Sequence, residues 1–135
     1  MDRRSFVCRV ASGVLALPFA VLAQQTTKVW RIGFVSAFAH ADIEGFLSQL
    51  RPELEKLGWI DGRNIMLLEP RTAEGAYDRL PSLASELVAQ RPDLILVQTV
   101  PAIRALMHAT KSIPIVMVGV GNPVELGIIA SLVKP

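Results

Sequence analysis

Four short apolar runs, each followed by a stretch of helical periodicity, constrain this chain more than any other feature. The runs are VWRIGFVS (Val29 to Ser36), NIMLLEP (Asn64 to Pro70), DLILVQ (Asp93 to Gln98) and IPIVMVG (Ile113 to Gly119). Each is rich in aliphatic or β-branched residues and bounded by turn formers, the signature of a strand. After the first, Ile43, Phe46, Leu47, Leu50, Leu54 and Leu57 recur at helical spacing, so they share one helix face. Gly58 is placed to stop that helix in a left-handed conformation. Pro52 lies inside it, where a missing N–H costs roughly 3 kcal/mol, and predicts a kink or a helix in two pieces.

The loop RTAEGAYD (residues 71–78) leads to a second helix with Leu80, Leu83, Ala84, Leu87 and Val88 on one face. Asp78 is a fitting N-cap, which puts Pro81 in the tolerant first turn, and Arg91-Pro92 closes the helix. A third helix starts at Thr99 or Val100, with Pro101 in its first turn and Ile103, Leu106 and Met107 inward. Asn122-Pro123 starts a fourth. The order is βαβαβαβα, so right-handed crossovers and a parallel sheet follow. The expected class is α/β, a parallel open sheet with helices on both faces. DLILVQ is apolar on both faces and belongs at the centre of that sheet. The strand at Ile115 to Val118 would form an exposed apolar edge prone to self-association if no neighbour follows it.

The first residues, MDRRSFVCRVASGVLALPFAVLAQQ, have a basic start at Arg3, Arg4 and Arg9 and an uncharged apolar stretch from Val10 to Leu22. This is the layout of a secretory signal peptide over residues 1–23, with 24–28 as a linker and 29–135 as the folded part. Arg3-Arg4 fits a twin-arginine leader as well as a plain one. Cys8 precedes the apolar stretch instead of following it, which does not suit lipid attachment. Without the leader the chain loses three of its 14 basic residues and one of its 12 acidic ones, and becomes formally neutral. No basic patch then points to nucleic acid. The only cysteine leaves with the leader, so neither disulfides nor thiolate chemistry are expected.

Ligands of open α/β sheets sit beyond the carboxyl ends of the strands. That rule selects Ser36, Ala37 and Phe38 after the first strand, Gln98 and Thr99 after the third, and Gly119, Gly121 and Asn122 after the fourth. The latter two loops run into helix N-termini, which favour an anionic group. Thr99 and Asn122 fit equally well as simple helix caps, and the glycines as plain turn formers. His40 and His108 stand alone, without metal-ligand spacing. The sequence has no G-x-S-x-G elbow and no phosphate loop, and its G-x-G after the fourth strand lacks the rest of the dinucleotide fingerprint. A catalytic constellation, a metal site and a cofactor are therefore not expected.

RIGFVS, LEKLGWIDGRNI, EGAYDRLPSLASELVAQRPDLILV and SIPIVMVGVGNPVELGIIASLVKP occur in this order. Together they resemble the substrate-binding proteins of ABC transporters, of the tryptophan/tyrosine type. The resemblance implies a type I periplasmic binding protein-like fold, in which two lobes close on a small solute and dock on a membrane permease. It implies a periplasmic location and cleft loops at the same three places. Asn122 departs from the acidic residue usual before this proline and carries no charge. Family chains continue beyond the position of Lys134-Pro135, so residues 29–135 are expected to be an incomplete N-terminal lobe. Such a fragment is not expected to bind with the strength of two closing lobes. An exported flavodoxin-like enzyme or regulatory domain is the alternative reading of the layout.

Overall fold

The computed structural model describes residues 28–129. The expected leader, residues 24–27 of the linker and the end of the fourth helix lie outside the described residues. The elements run β1 (Trp30–Ser36), α1 (His40–Lys56), β2 (Ile65–Leu67), β3 (Arg71–Thr72), a 3₁₀ turn (Tyr77–Arg79), α2 (Leu80–Ala89), β4 (Leu94–Gln98), α3 (Val100–Ala109) and β5 (Ile115–Met117). All strand pairs are parallel, in the order β2-β1-β4-β5, and β3 pairs with β1 beyond the end of β2. This is the expected α/β architecture, with the third apolar run (β4) in the interior of the sheet.

Alternation along the strands sorts the core onto two faces. Phe34 points to one side with Leu96, where Ile43 and Leu47 of α1 bury their side chains and Phe46 packs its ring 5.6 Å from that of Phe34. Val35, Ile95 and Val97 point to the other side and meet Leu83, Ala84 and Leu87 of α2 and Ala102, Ile103 and Leu106 of α3. Each fully buried aliphatic side chain of this kind contributes roughly 1.5–3 kcal/mol. Gly33 sits between these layers. A Cβ there would lie 2.8 Å from both terminal carbons of Leu87, so the glycine lets α2 settle closely on the sheet.

Helix α1 ends as its sequence predicts. Gly58 is left-handed, its N–H reaches the Glu55 carbonyl, and that of Trp59 reaches Leu54, the paired bonds of a Schellman cap. Pro52, however, does not divide the helix, which runs unbroken for 17 residues. Pro52 and Ser48 both face solvent, so the carbonyl deprived of its partner is left where water reaches it. Leu57, expected on the inner face, is 74% exposed because the helix has already ended there.

Other expectations are corrected as well. The second strand is two short pieces with residues 68–70 between them, and Arg71-Thr72, expected in a loop, belongs to the sheet. Ile32 pairs with Leu67 and Val35 with Arg71, so three steps along β1 match four on its partner. That is the geometry of a bulge, and Pro70, lacking an N–H, falls within it. Asp78 does not cap α2 through its side chain. The 3₁₀ turn already satisfies the entry N–H groups, with Arg79 N–H on the Ala76 carbonyl. Met107 is exposed, not inward. Residues 123–127 after Asn122 form turns, not a regular helix, within the described residues.

At the amino end of the sheet, Asp93 clamps β4 to β1. Its carboxylate accepts from the Arg31 backbone N–H at 2.9 Å and from Lys28 Nζ at 2.9 Å, while its own N–H donates to the Arg31 carbonyl. The Arg31 N–H first, and Lys28 second, hold this carboxyl below its ordinary value.

Two outcomes follow from this packing. Gly33→Ala is expected to destabilise the fold by about 1–3 kcal/mol through overpacking, and Leu87→Ala by about 2–5 kcal/mol. In urea unfolding the double variant should lose less than the two combined, since the smaller residue makes room for the new methyl group. For Asp93, a depressed folded value means stabilisation that is present above the ordinary aspartate range and lost as the pH falls through the folded value. Asp93→Asn is expected to flatten the acid limb of the denaturation midpoint plotted against pH; an unchanged limb would rule out that role.

Candidate functional site

The sheet reverses its winding between β1 and β4, because the chain moves outward to β2 on one side and to β5 on the other. Strand ends at such a point leave a crevice that loops cannot cross. The last residues of the two strands, Ser36 and Gln98, are register partners there. Gln98 also lies beside the fourth-strand loop, its amide nitrogen 3.8 Å from where a Cβ of Gly119 would stand. Gly119 is itself left-handed, with φ of 63°. Of the expected site residues, Ser36, Gln98, Thr99 and Gly119 are thus brought to one place.

Ser36 is fully buried, and its hydroxyl accepts the Phe38 N–H at 3.1 Å. Its part is to turn the chain after β1. Ala37 is buried and its carbonyl receives the Gly75 N–H, while the Ser36 carbonyl receives that of Ala73. These bonds tie the loop after β3 to the loop after β1. Phe38 is left 47% exposed at the rim. Asn122 and Gly121 are exposed. Asn122 Oδ1 accepts from the backbone N–H groups of Val124 and Glu125 at 3.2 and 3.4 Å, which is capping geometry.

Thr99 behaves differently. It was a possible helix cap, yet it makes no side-chain cap bond, and its backbone sits at φ 81° and ψ 139°. A β-branched residue at positive φ is an outlier costing about 1–3 kcal/mol. The conformation arises because β4 ends at Gln98 and α3 begins at Val100, leaving one residue to make the turn. The Thr99 hydroxyl is buried and has no hydrogen-bond partner among the described residues. Strain and an unpaired buried donor therefore coincide at the switch point.

Sequence reasoning passed over the loop after β3. Thr72 is the register partner of Ser36 on the side away from Gln98, so this loop belongs to the same end of the sheet. Its signal was the Gly75 turn, left-handed like Glu74 before it. A polar cavity of about 250 Å³ opens here among Arg71, Thr72, Glu74 and Arg79. An apolar cavity of about 260 Å³ lies instead at the opposite, amino end, between Trp30, Leu54, Trp59 and Ile65. Among the described residues, no His, Cys, Asp and Glu cluster is arranged to hold a metal ion, and no helix is long and apolar enough to cross a membrane.

A parallel sheet whose winding reverses between β1 and β4 is the architecture of a periplasmic binding protein-like domain. Residues 34–135 match the model of the ABC transporter substrate binding protein family, and the chain belongs to that family. A tyrosine-binding protein of Clostridioides difficile (strain R20291) is 35% identical over 108 residues, which are 80% of this chain and 31% of that protein. The ligand-free, open structure of a substrate-binding protein with adhesive properties from Clostridium difficile superposes with a TM-score of 0.66 at 31% identity. It matches 77% of this chain and 35% of its own. A conserved domain protein from Vibrio cholerae gives a TM-score of 0.68 at 27% identity, over 78% of this chain and 35% of that one. An ABC domain from Streptococcus pneumonia in complex with L-Trp shares the fold, with a TM-score of 0.69 at 23% identity over 80% and 36% of the two chains. The chain spans about a third of the length of these relatives.

The strain at Thr99 yields a direct expectation. Thr99→Gly should raise stability by about 1 kcal/mol, the strain relieved exceeding the entropy lost on ordering glycine. A lower urea midpoint would show that the position is not strained.

Proposed function

We propose that this chain supplies one lobe of a receptor that captures a small solute and delivers it to an ABC permease. In this reading residues 1–23 export the protein, capture takes place in the periplasm, and the solute is released chemically unchanged. The observation that carries the reading is the pairing of Ser36 with Gln98 at the switch point, with the strained Thr99 holding an unpaired buried hydroxyl beside it. Unpaired donors and strained backbone are costly in a site without a ligand. A bound solute that accepts from Thr99 recovers the cost of the unpaired hydroxyl. Gln98 offers both a donor and an acceptor, and Phe38 an apolar surface at the rim. Such a crevice suits a small, partly aromatic, polar solute. An aromatic amino acid fits, in keeping with the tyrosine-binding and L-Trp-bound relatives.

The reading is tested by calorimetric titration of the full chain with aromatic, branched and charged amino acids. Binding, weaker than that of two closing lobes, is expected for L-tyrosine or L-tryptophan in preference to the others. Thr99→Val should weaken it about tenfold, the worth of one hydrogen bond at ~1.4 kcal/mol. An equal response to every amino acid, or an unchanged affinity in Thr99→Val, would refute the assignment.

A further inference from the structure

We propose that Arg71 and Arg79 form the carboxylate-binding end of this cleft and hold the acid group of the captured solute. The proposal rests on the receptor reading above. It starts from the bulge between β2 and β3. Without the extra residue, Arg71 would pair with Ser36; with it, Thr72 takes that place and Arg71 pairs with Val35. A one-residue shift moves a side chain to the other face of the sheet, here the face covered by α2. Bulges that re-aim a side chain in this way are frequent beside binding sites.

On that face Arg71 lines the cavity of about 250 Å³ together with Arg79, Thr72, Glu69, Glu74 and His40. The Arg71 Nε is buried and has no hydrogen-bond partner among the described residues. Neither arginine belongs to an ion pair among the described residues, so both guanidinium groups have free donors. Guanidinium forks match a carboxylate with two parallel bonds.

Glu69 and Glu74 at the rim balance the two arginines, and His40 lies 3.8 Å from Glu44. A cavity without net charge disfavours a phosphate dianion. It suits one carboxylate with an ammonium group close by. Thr72 and Gln98 flank β1 on opposite sides, two strand spacings or about 10 Å apart, comparable to the length of tyrosine.

The test records the Arg71 and Arg79 Nε–H signals and the Thr99 amide of the ¹⁵N-labelled full chain by NMR. L-tyrosine and acetate are expected to shift the arginine signals, and tyramine, which lacks the carboxylate, is not. Arg71→Gln should weaken L-tyrosine at least tenfold and leave tyramine unchanged, with partial recovery in Arg71→Lys. Arg79→Gln, at an exposed position, tests the same point without risk to folding and should weaken L-tyrosine severalfold. If L-tyrosine shifts Thr99 but not the arginines, the anchor is refuted while the receptor reading stands. If acetate shifts Arg71 and no amino acid moves Thr99, the anchor holds and the solute assignment fails. A stronger response to inorganic phosphate than to acetate would also overturn the proposal.

Discussion

The pairing of β1 with β4 is the contact on which the rest of the molecule depends. Five consecutive register pairs, from Ile32 with Leu94 to Ser36 with Gln98, join the two strands that lie inside the sheet. At their amino ends Asp93 locks the register by bonding both the backbone and Lys28. On one face Phe34 and Leu96 receive α1, and on the other Gly33 lets Leu87 approach. Because the side-chain period of a strand is two, a slip of one residue here would exchange the side chains of one strand between the two faces and mismatch both cores. It would also part Ser36 from Gln98. Stability and the crevice therefore have the same origin.

The carboxyl ends of these strands carry the cost of the candidate site. Ser36 spends its hydroxyl on the following turn, so it shapes the crevice and does not present a free donor. Thr99 does the opposite, accepting an unfavourable backbone conformation with its hydroxyl unpaired. Local rules are commonly broken where binding demands it and satisfied elsewhere. The loop after β3, tied to Ala37 through Gly75, extends the same end of the sheet toward Arg71 and Arg79. Thr72 and Gln98 thus flank Ser36 on its two sides.

Much of the fold is legible in the residues because hydrophobic pattern and punctuation agree. The four apolar runs became strands, Gly58 ended α1, and Pro81 and Pro101 fell in first turns. Pattern was less reliable where backbone bonding had an alternative. Asp78 was replaced as a cap by a 3₁₀ turn, and Pro52 was absorbed because its helix face is wet. The split of the second strand was hidden, since a bulge leaves no periodic trace in so short a run. Ser36, Gln98, Thr99 and Gly119 were legible because sheet topology alone places them at one end. Arg71 and Arg79 were not, because their meeting depends on that bulge.

The sequence by itself determined the order of elements, the parallel sheet and the set of loops at its carboxyl end. Those follow from local propensity and from the right-handedness of βαβ crossovers, which act over a few dozen residues at most. Only the tertiary structure decided which strands pair, that Ser36 stands opposite Gln98, and that Thr99 is strained with its hydroxyl unsatisfied. Register and strain are set by contacts between residues far apart in the chain, and local pattern carries no record of them.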